Sequence, residues 1–142
     1  MTLPTLPIPT LTILLDCIAI TAILVYVPFL VVAVGRVQAG YDMAAPRALF
    51  DKLPDYAKRA TWAHQNAFES FALFAAAALM AYVTQQTSPL AAWAAIAYVT
   101  ARLLYPVFYI LNVPIGRSLM FAVGSLSITI LIGLSLLDAH RF

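Results

Sequence analysis

The chain has 142 residues, 63% of them hydrophobic and only 10% charged, with a mean hydropathy of +0.92. A soluble domain carries about a quarter charged residues, so this composition excludes an ordinary soluble enzyme and points to a multi-pass membrane protein of one domain, residues 1–142. The formal net charge of +2 says little by itself, and no nucleic-acid partner is expected; where the charges sit says more.

The chain opens MTLPTLPIPT, without Lys or Arg, so it lacks the charged region of a secretory signal and its first apolar run is expected to remain as a span. A span needs about 20 largely apolar residues. The first candidate runs Leu11–Val34, with Pro28 as a kink. It holds Asp16, expected to reach the outer interface, and the lone Cys17. A lone cysteine forms no intrachain disulfide, and no Cys/His cluster suggests a metal site. Cys17 therefore reads as a small buried hydrophobe.

Residues 36–58 form the only long polar loop, carrying Arg36, Arg47, Lys52 and Lys58, with Arg59 directly after. The second span runs from Arg59 to Thr84, the third Leu90–Leu111 and the fourth Leu119–Leu137. In lipid, spans of this length are helices, so the fold class is an all-α bundle of four transmembrane helices. Only QQTSP separates spans two and three, which makes them antiparallel neighbours. Arg117 falls at the connection between spans three and four, on the same side as the long loop. The positive-inside rule puts that side in the cytoplasm and both termini on the other. The alanine runs at 75–78 and 91–95 sit near the QQTSP turn, and small residues let backbones approach closely. Spans two and three are expected to touch there, with Trp62, Phe68, Tyr105 and Tyr109 holding them apart at the loop end. Trp62 and Trp93 read as interfacial anchors, and Asp138, His140 and Arg141 as a solvated terminus.

Span two opens with the unusual stretch WAHQNAFESF at 62–71. At helical spacing Arg59, Trp62, Asn66 and Glu69 share an arc of about 80°, with Gln65 at its edge and His64 facing elsewhere. On span three Tyr98, Arg102, Tyr105, Tyr109 and Asn112 share a similar arc of about 80°. Glu69 and Arg102 each lie about 10 Å in from the loop side. Matching depth predicts an ion pair or two walls of one polar cavity. Charges at such depth are costly and mark a functional site. The plainer alternative is a buried pair that fixes helix packing. Asn66 and the tyrosines extend the seam beyond one pair, and Arg117 is placed to close it.

These residues resemble a known family. RATWAHQNAFESF at 59–71, ARLLYPVFY at 101–109 and GRSL at 116–119 resemble the MAPEG proteins, the membrane-associated proteins of eicosanoid and glutathione metabolism. GRVQAGYDMAAPRA at 35–48 resembles the bacterial branch. The resemblance implies a homotrimer of four-helix protomers, with sites between neighbouring subunits that open to the cytoplasm. It implies glutathione as co-substrate, held by Asn66 and Glu69 on span two and by Arg102, Tyr105 and Tyr109 on span three. Arg117 matches the arginine that stabilises the glutathione thiolate, and Arg36 an arginine lining the pocket from the adjacent subunit. Arginine forks suit the two glutathione carboxylates, Glu69 suits the amine, and a nearby cation lowers a thiol pKa. A lipophilic electrophile would then arrive from the membrane lipid. Glutathione-using members carry an arginine where this chain has Trp62, and some carry another at Gln65; Arg59, one turn earlier, is a candidate substitute. The competing readings are a non-catalytic family member with a structural, small-molecule or lipid-binding role, and a proton or ion pathway.

Overall fold

The computed structural model describes residues 3–4 and 6–140. Arg141, expected on a solvated terminus, lies outside the described residues. The helices are α1 (Thr10–Leu24), α2 (Val27–Gln38), α3 (Asp55–Val83), α4 (Pro89–Ile110) and α5 (Pro114–Ala139), with a 3-10 turn at Phe50–Lys52. There is no strand among the described residues. α1 and α2 together make one span, Thr10–Gln38, and α3, α4 and α5 make three more. The shortest, α4, has 22 residues, about 33 Å of rise against a hydrocarbon core about 30 Å thick. The chain is an all-α bundle of four membrane-spanning helices.

Prolines shift the expected boundaries. α3 starts at Asp55 rather than 59, because Pro54 caps it and Asp55 sits in its first turn, where a negative charge suits the helix dipole. α5 starts at Pro114 rather than 119, with proline at its first position. Arg117 therefore stands in the first turn of α5 and not in a connection. The first span breaks at Val25–Tyr26, upstream of Pro28. Pro28 has no N–H to give the Leu24 carbonyl, so the lost bond lies a turn before the proline itself. Asn112 is off the expected stripe. α4 ends at Ile110, and Asn112 takes a left-handed φ of 59°. Val113 N then donates to Phe108 O at 2.8 Å and Asn112 N to Tyr109 O at 3.2 Å, which closes the helix in a Schellman turn. Gln85, with φ 55°, closes α3 the same way.

At the QQTSP end the helices meet through small residues. Leu14 and Cys17 of α1, Phe74, Ala77, Ala78 and Ala81 of α3, Ala91, Ala95 and Tyr98 of α4 and Leu131 of α5 form one buried cluster. The alanines bring α3 and α4 close enough for Phe74 and Tyr98 to stack, ring centroids 3.8 Å apart and 7° from parallel. The turn is tied down as well. Buried Gln86 donates to Asp138, which is therefore bonded and not simply solvated, and Gln86 accepts from Ser88 N at 2.9 Å. Trp93 Nε1 donates to Pro4 O at 3.1 Å, and Thr10 Oγ1 to Thr87 O at 3.1 Å.

At the opposite end the loop folds down onto α2 and α3. Leu49 and Leu53 are buried, and Phe50 packs on Trp62 with centroids 5.8 Å apart. Gly35 lies against Ala57 so closely that a Cβ there would overlap the alanine methyl. Tyr56 OH donates to Gln38 Oε1 at 2.6 Å, joining the two helices across the loop.

Candidate functional site

The polar residues of α3 face three directions. Inward, Arg102 of α4 is only 6% exposed, and its Nη2 donates to both the backbone O and the Oδ1 of Asn66, each at 2.9 Å. Its guanidinium carbon lies 4.6 Å from the Tyr105 ring centroid. One turn deeper, the Ser70 and Tyr98 hydroxyls are 2.9 Å apart. The ion pair expected between Glu69 and Arg102 is not formed. Asn66 offers the guanidinium a carbonyl and an amide oxygen together, and Glu69 lies outside that contact. Glu69 is exposed on the flank of the span, where Gln65 Nε2 donates to its Oε1 at 3.4 Å. At the start of the helix, Arg59 Nε donates to Ile110 O at 2.9 Å. That bond satisfies one of the terminal carbonyls α4 leaves open.

On the α4–α5 side, Tyr105, Tyr109, Arg117, Ser118 and Phe121 line a concavity of about 340 Å³. Tyr105 and Tyr109 meet edge to face at 5.6 Å and 68°. The Arg117 guanidinium covers the Tyr109 ring at 4.8 Å. Arg102, the two tyrosines and Arg117 thus form a continuous chain of ring and cation contacts from the interior to this concavity. Arg117 stands in the first turn of α5, where free N–H groups also favour an anion. A thiolate or carboxylate placed there would meet a permanent charge and a tyrosine hydroxyl.

A larger groove of about 770 Å³ lies between α2, the loop and α3. Arg36, Arg47, Phe50, Trp62, His64 and Glu69 are among its walls. Arg36 carries its guanidinium carbon 5.7 Å from the Phe29 centroid, and its Nε is buried without a hydrogen-bond partner among the described residues. His64 owes its place to the break in the first span. Its Nδ1 lies 2.8 Å from the Val25 carbonyl. A carbonyl only accepts, so Nδ1 donates this bond. Phe29 and Phe68 flank the imidazole at 5.2 and 5.1 Å.

The residues expected to form one site are therefore distributed. Tyr105, Tyr109 and Arg117 share the smaller concavity, Arg36 and Glu69 the larger groove, and the two have no lining residue in common. Asn66 and Arg102 join in the interior between the helices, and Arg59 closes α4. Sequence reasoning passed over Ser118 and Arg47. Ser118 follows Arg117 directly and was within reach of a local reading; Arg47 sits in a loop that has no periodicity to read.

Among protein families, the model described as the MAPEG family matches residues 13–137, from within α1 to near the end of α5. No curated protein and no solved structure matches the chain.

Proposed function

The chain belongs to the MAPEG family, and from that premise we propose that it is a membrane glutathione transferase or peroxidase acting on a lipophilic electrophile. Its working form in this reading is a homotrimer with sites between subunits. The observation that carries it is the exposed Glu69. Its carboxylate's only hydrogen bond among the described residues is the one from Gln65, and it sits on the flank of a membrane span. A charge cannot face lipid there without heavy cost. A neighbouring subunit that covers this flank would bring the Tyr105–Tyr109–Arg117 concavity of one chain toward Arg36 and Glu69 of another.

In that site Glu69 holds the glutathione amine and Arg36 a carboxylate. Tyr105 and Tyr109 line the cavity, and the Asn66–Arg102 pair sets the distance between its walls. Arg117 favours the thiolate; the thiol proton passes to water. The sulfur then forms a bond to the electrophilic carbon, and the leaving group departs with the bonding pair. The charge distribution over loop 36–58 and Arg117 orients this end toward the cytoplasm.

The test is a glutathione titration of the detergent-purified protein, read as melting temperature, because a ligand that binds only the folded state must raise it. A saturable rise at millimolar glutathione or below, absent from both Arg117→Ala and Glu69→Gln, is the expected result. No rise, or the same rise in both variants, overturns the assignment. A second reading is favoured by Arg102 lying buried on Asn66. In that reading the seam is a packing network, and the protein a non-catalytic family member that holds lipid or another small molecule.

A further inference from the structure

We infer that the loop between α2 and α3 docks on the headgroup layer of an anionic phospholipid leaflet, with Arg47, Lys52 and Lys58 against the lipid phosphates and Tyr41 and Met43 entering the layer as anchors. This surface lies on the outside of the loop, and the inference goes beyond the glutathione reading without depending on it.

The first observation is depth. α4 has 22 residues and rises about 33 Å, close to the thickness of the hydrocarbon core, so its last residue, Ile110, marks the core's loop-side boundary. Arg59 Nε donates to Ile110 O at 2.9 Å, which sets that stretch of α3 level with the boundary. Lys58 directly precedes it. Trp62 lies about 4.5 Å further in, and Phe50 packs on it with centroids 5.8 Å apart. The loop therefore does not stand up into water but folds back to the boundary, where buried Leu49 and Leu53 hold it. Lys52 belongs to the same 3-10 turn as Phe50 and is exposed. Arg47 is exposed too, and its carbonyl accepts from Phe50 N at 3.3 Å. Three cations thus stand near the level of the lipid phosphates.

The second observation is charge. No carboxylate pairs with Arg47, Lys52 or Lys58 among the described residues. Between residues 36 and 59 five Lys and Arg stand against three Asp. Of these, Asp55 sits in the first turn of α3, where the helix dipole offsets its charge. The QQTSP end presents Asp16 and Asp138 and, among the described residues, no Lys or Arg. Only the loop side therefore complements an anionic leaflet. The third observation is the tip of the loop. Gly40, with φ 84°, turns the chain into it, and Asp42 Oδ1 accepts from Ala44 N at 2.8 Å to fix the turn. Met43 is 84% and Tyr41 52% exposed, just ahead of the cations. Apolar side chains next to basic ones suit a membrane surface, and a tyrosine ring with its hydroxyl suits the headgroup level. Arg47 and Phe50 also wall the larger groove, so a loop held on headgroups holds that wall in place.

The test puts a reporter at the tip. Trp62→Phe and Trp93→Phe remove both native tryptophans, and Met43→Trp adds one indole at an exposed position. The full chain, in nanodiscs of phosphatidylcholine, receives a minor fraction of lipid brominated near its glycerol, as phosphatidylglycerol or as phosphatidylcholine. Bromine quenches an indole at contact range. The anionic lipid is expected to quench at least about fivefold more strongly than the zwitterionic one. Arg47→Gln, Lys52→Gln and Lys58→Gln together should bring that ratio below about twofold, whereas Lys52→Arg with Lys58→Arg should keep it. High salt should lower it in the reporter protein itself, so the charge dependence is read even if the triple variant fails to fold. In a companion protein carrying only Trp62→Phe, Trp93 reports from the other leaflet and should show a ratio close to one. Equal quenching by the two lipids, no quenching by either, the same ratio at Trp93 as at the tip, or a ratio that survives the triple substitution or high salt overturns the inference. Collapse of the ratio in inorganic phosphate, but not in chloride of equal ionic strength, assigns the cations to free phosphate and overturns it as well. Glutathione takes no part in this measurement, so it and the glutathione melting titration fail independently.

Discussion

The two ends of the bundle solve the membrane problem differently. At the QQTSP end the chain satisfies itself: alanines let α3 and α4 close up, Phe74 stacks on Tyr98, and Gln86 finds Asp138. At the loop end, Arg36 keeps a buried nitrogen with no partner among the described residues, Glu69 is exposed within a span, and two concavities stay open. Polar groups at membrane depth are retained where something else completes them. The contrast therefore separates what holds one chain together from what it offers to a ligand or a neighbouring subunit.

The sharpest way to break this division is Arg102, which sits between the two regimes. Arg102→Ala removes a buried side chain and leaves the Asn66 amide oxygen unanswered, and should cost about 3 kcal/mol, read by denaturant unfolding in detergent. Stability equal to wild type would place Arg102 with the open end and not with the frame. Ala95→Leu overpacks the dry end and should cost about 2 kcal/mol. Its melting temperature falls, but the half-saturating glutathione concentration of the folded fraction should not move. His64→Phe keeps the aromatic packing and loses the bond to Val25. It should cost about 1 kcal/mol, with the added signature of faster amide exchange at the break in the first span. Arg117→Ala is expected to change stability least, by about 0.5 kcal/mol or less, while abolishing the glutathione-dependent rise in melting temperature. If it destabilises as much as Arg102→Ala, the two ends are not separable in this way.

Much of the frame was legible from composition and punctuation. Four apolar runs are four spans, and the alanines near QQTSP mark where α3 and α4 touch. The misreadings have physical causes. Hydropathy locates the centre of a span but not its start, so Pro54 and Pro114, the true helix openers, were passed over in favour of Arg59 and Leu119. Pro28 marks a break but not its place, since the bond it forfeits is the upstream one. The arc on α3 correctly set Asn66 toward α4, yet direction does not give reach: Asn66 and Glu69 share a stripe, and only the packed helices decide which one meets Arg102. His64 was unreadable as a tether because its partner is a backbone carbonyl, freed by a break in another span. Arg47 was unreadable because a loop has no period that assigns it a face.

One contact of the fold has a mechanical consequence. Gly35 touches Ala57 with no room for a methyl group, and the next residue is Arg36. The close approach works as a fulcrum: α2 rests on α3 at a point where one hydrogen atom sets the clearance. A single added carbon would act as a wedge, levering the last turn of α2 outward and carrying the Arg36 guanidinium with it. The smallest side chain in the protein thereby sets the reach of one of its longest, and Gly35→Ala would retune the groove from a residue that does not line it.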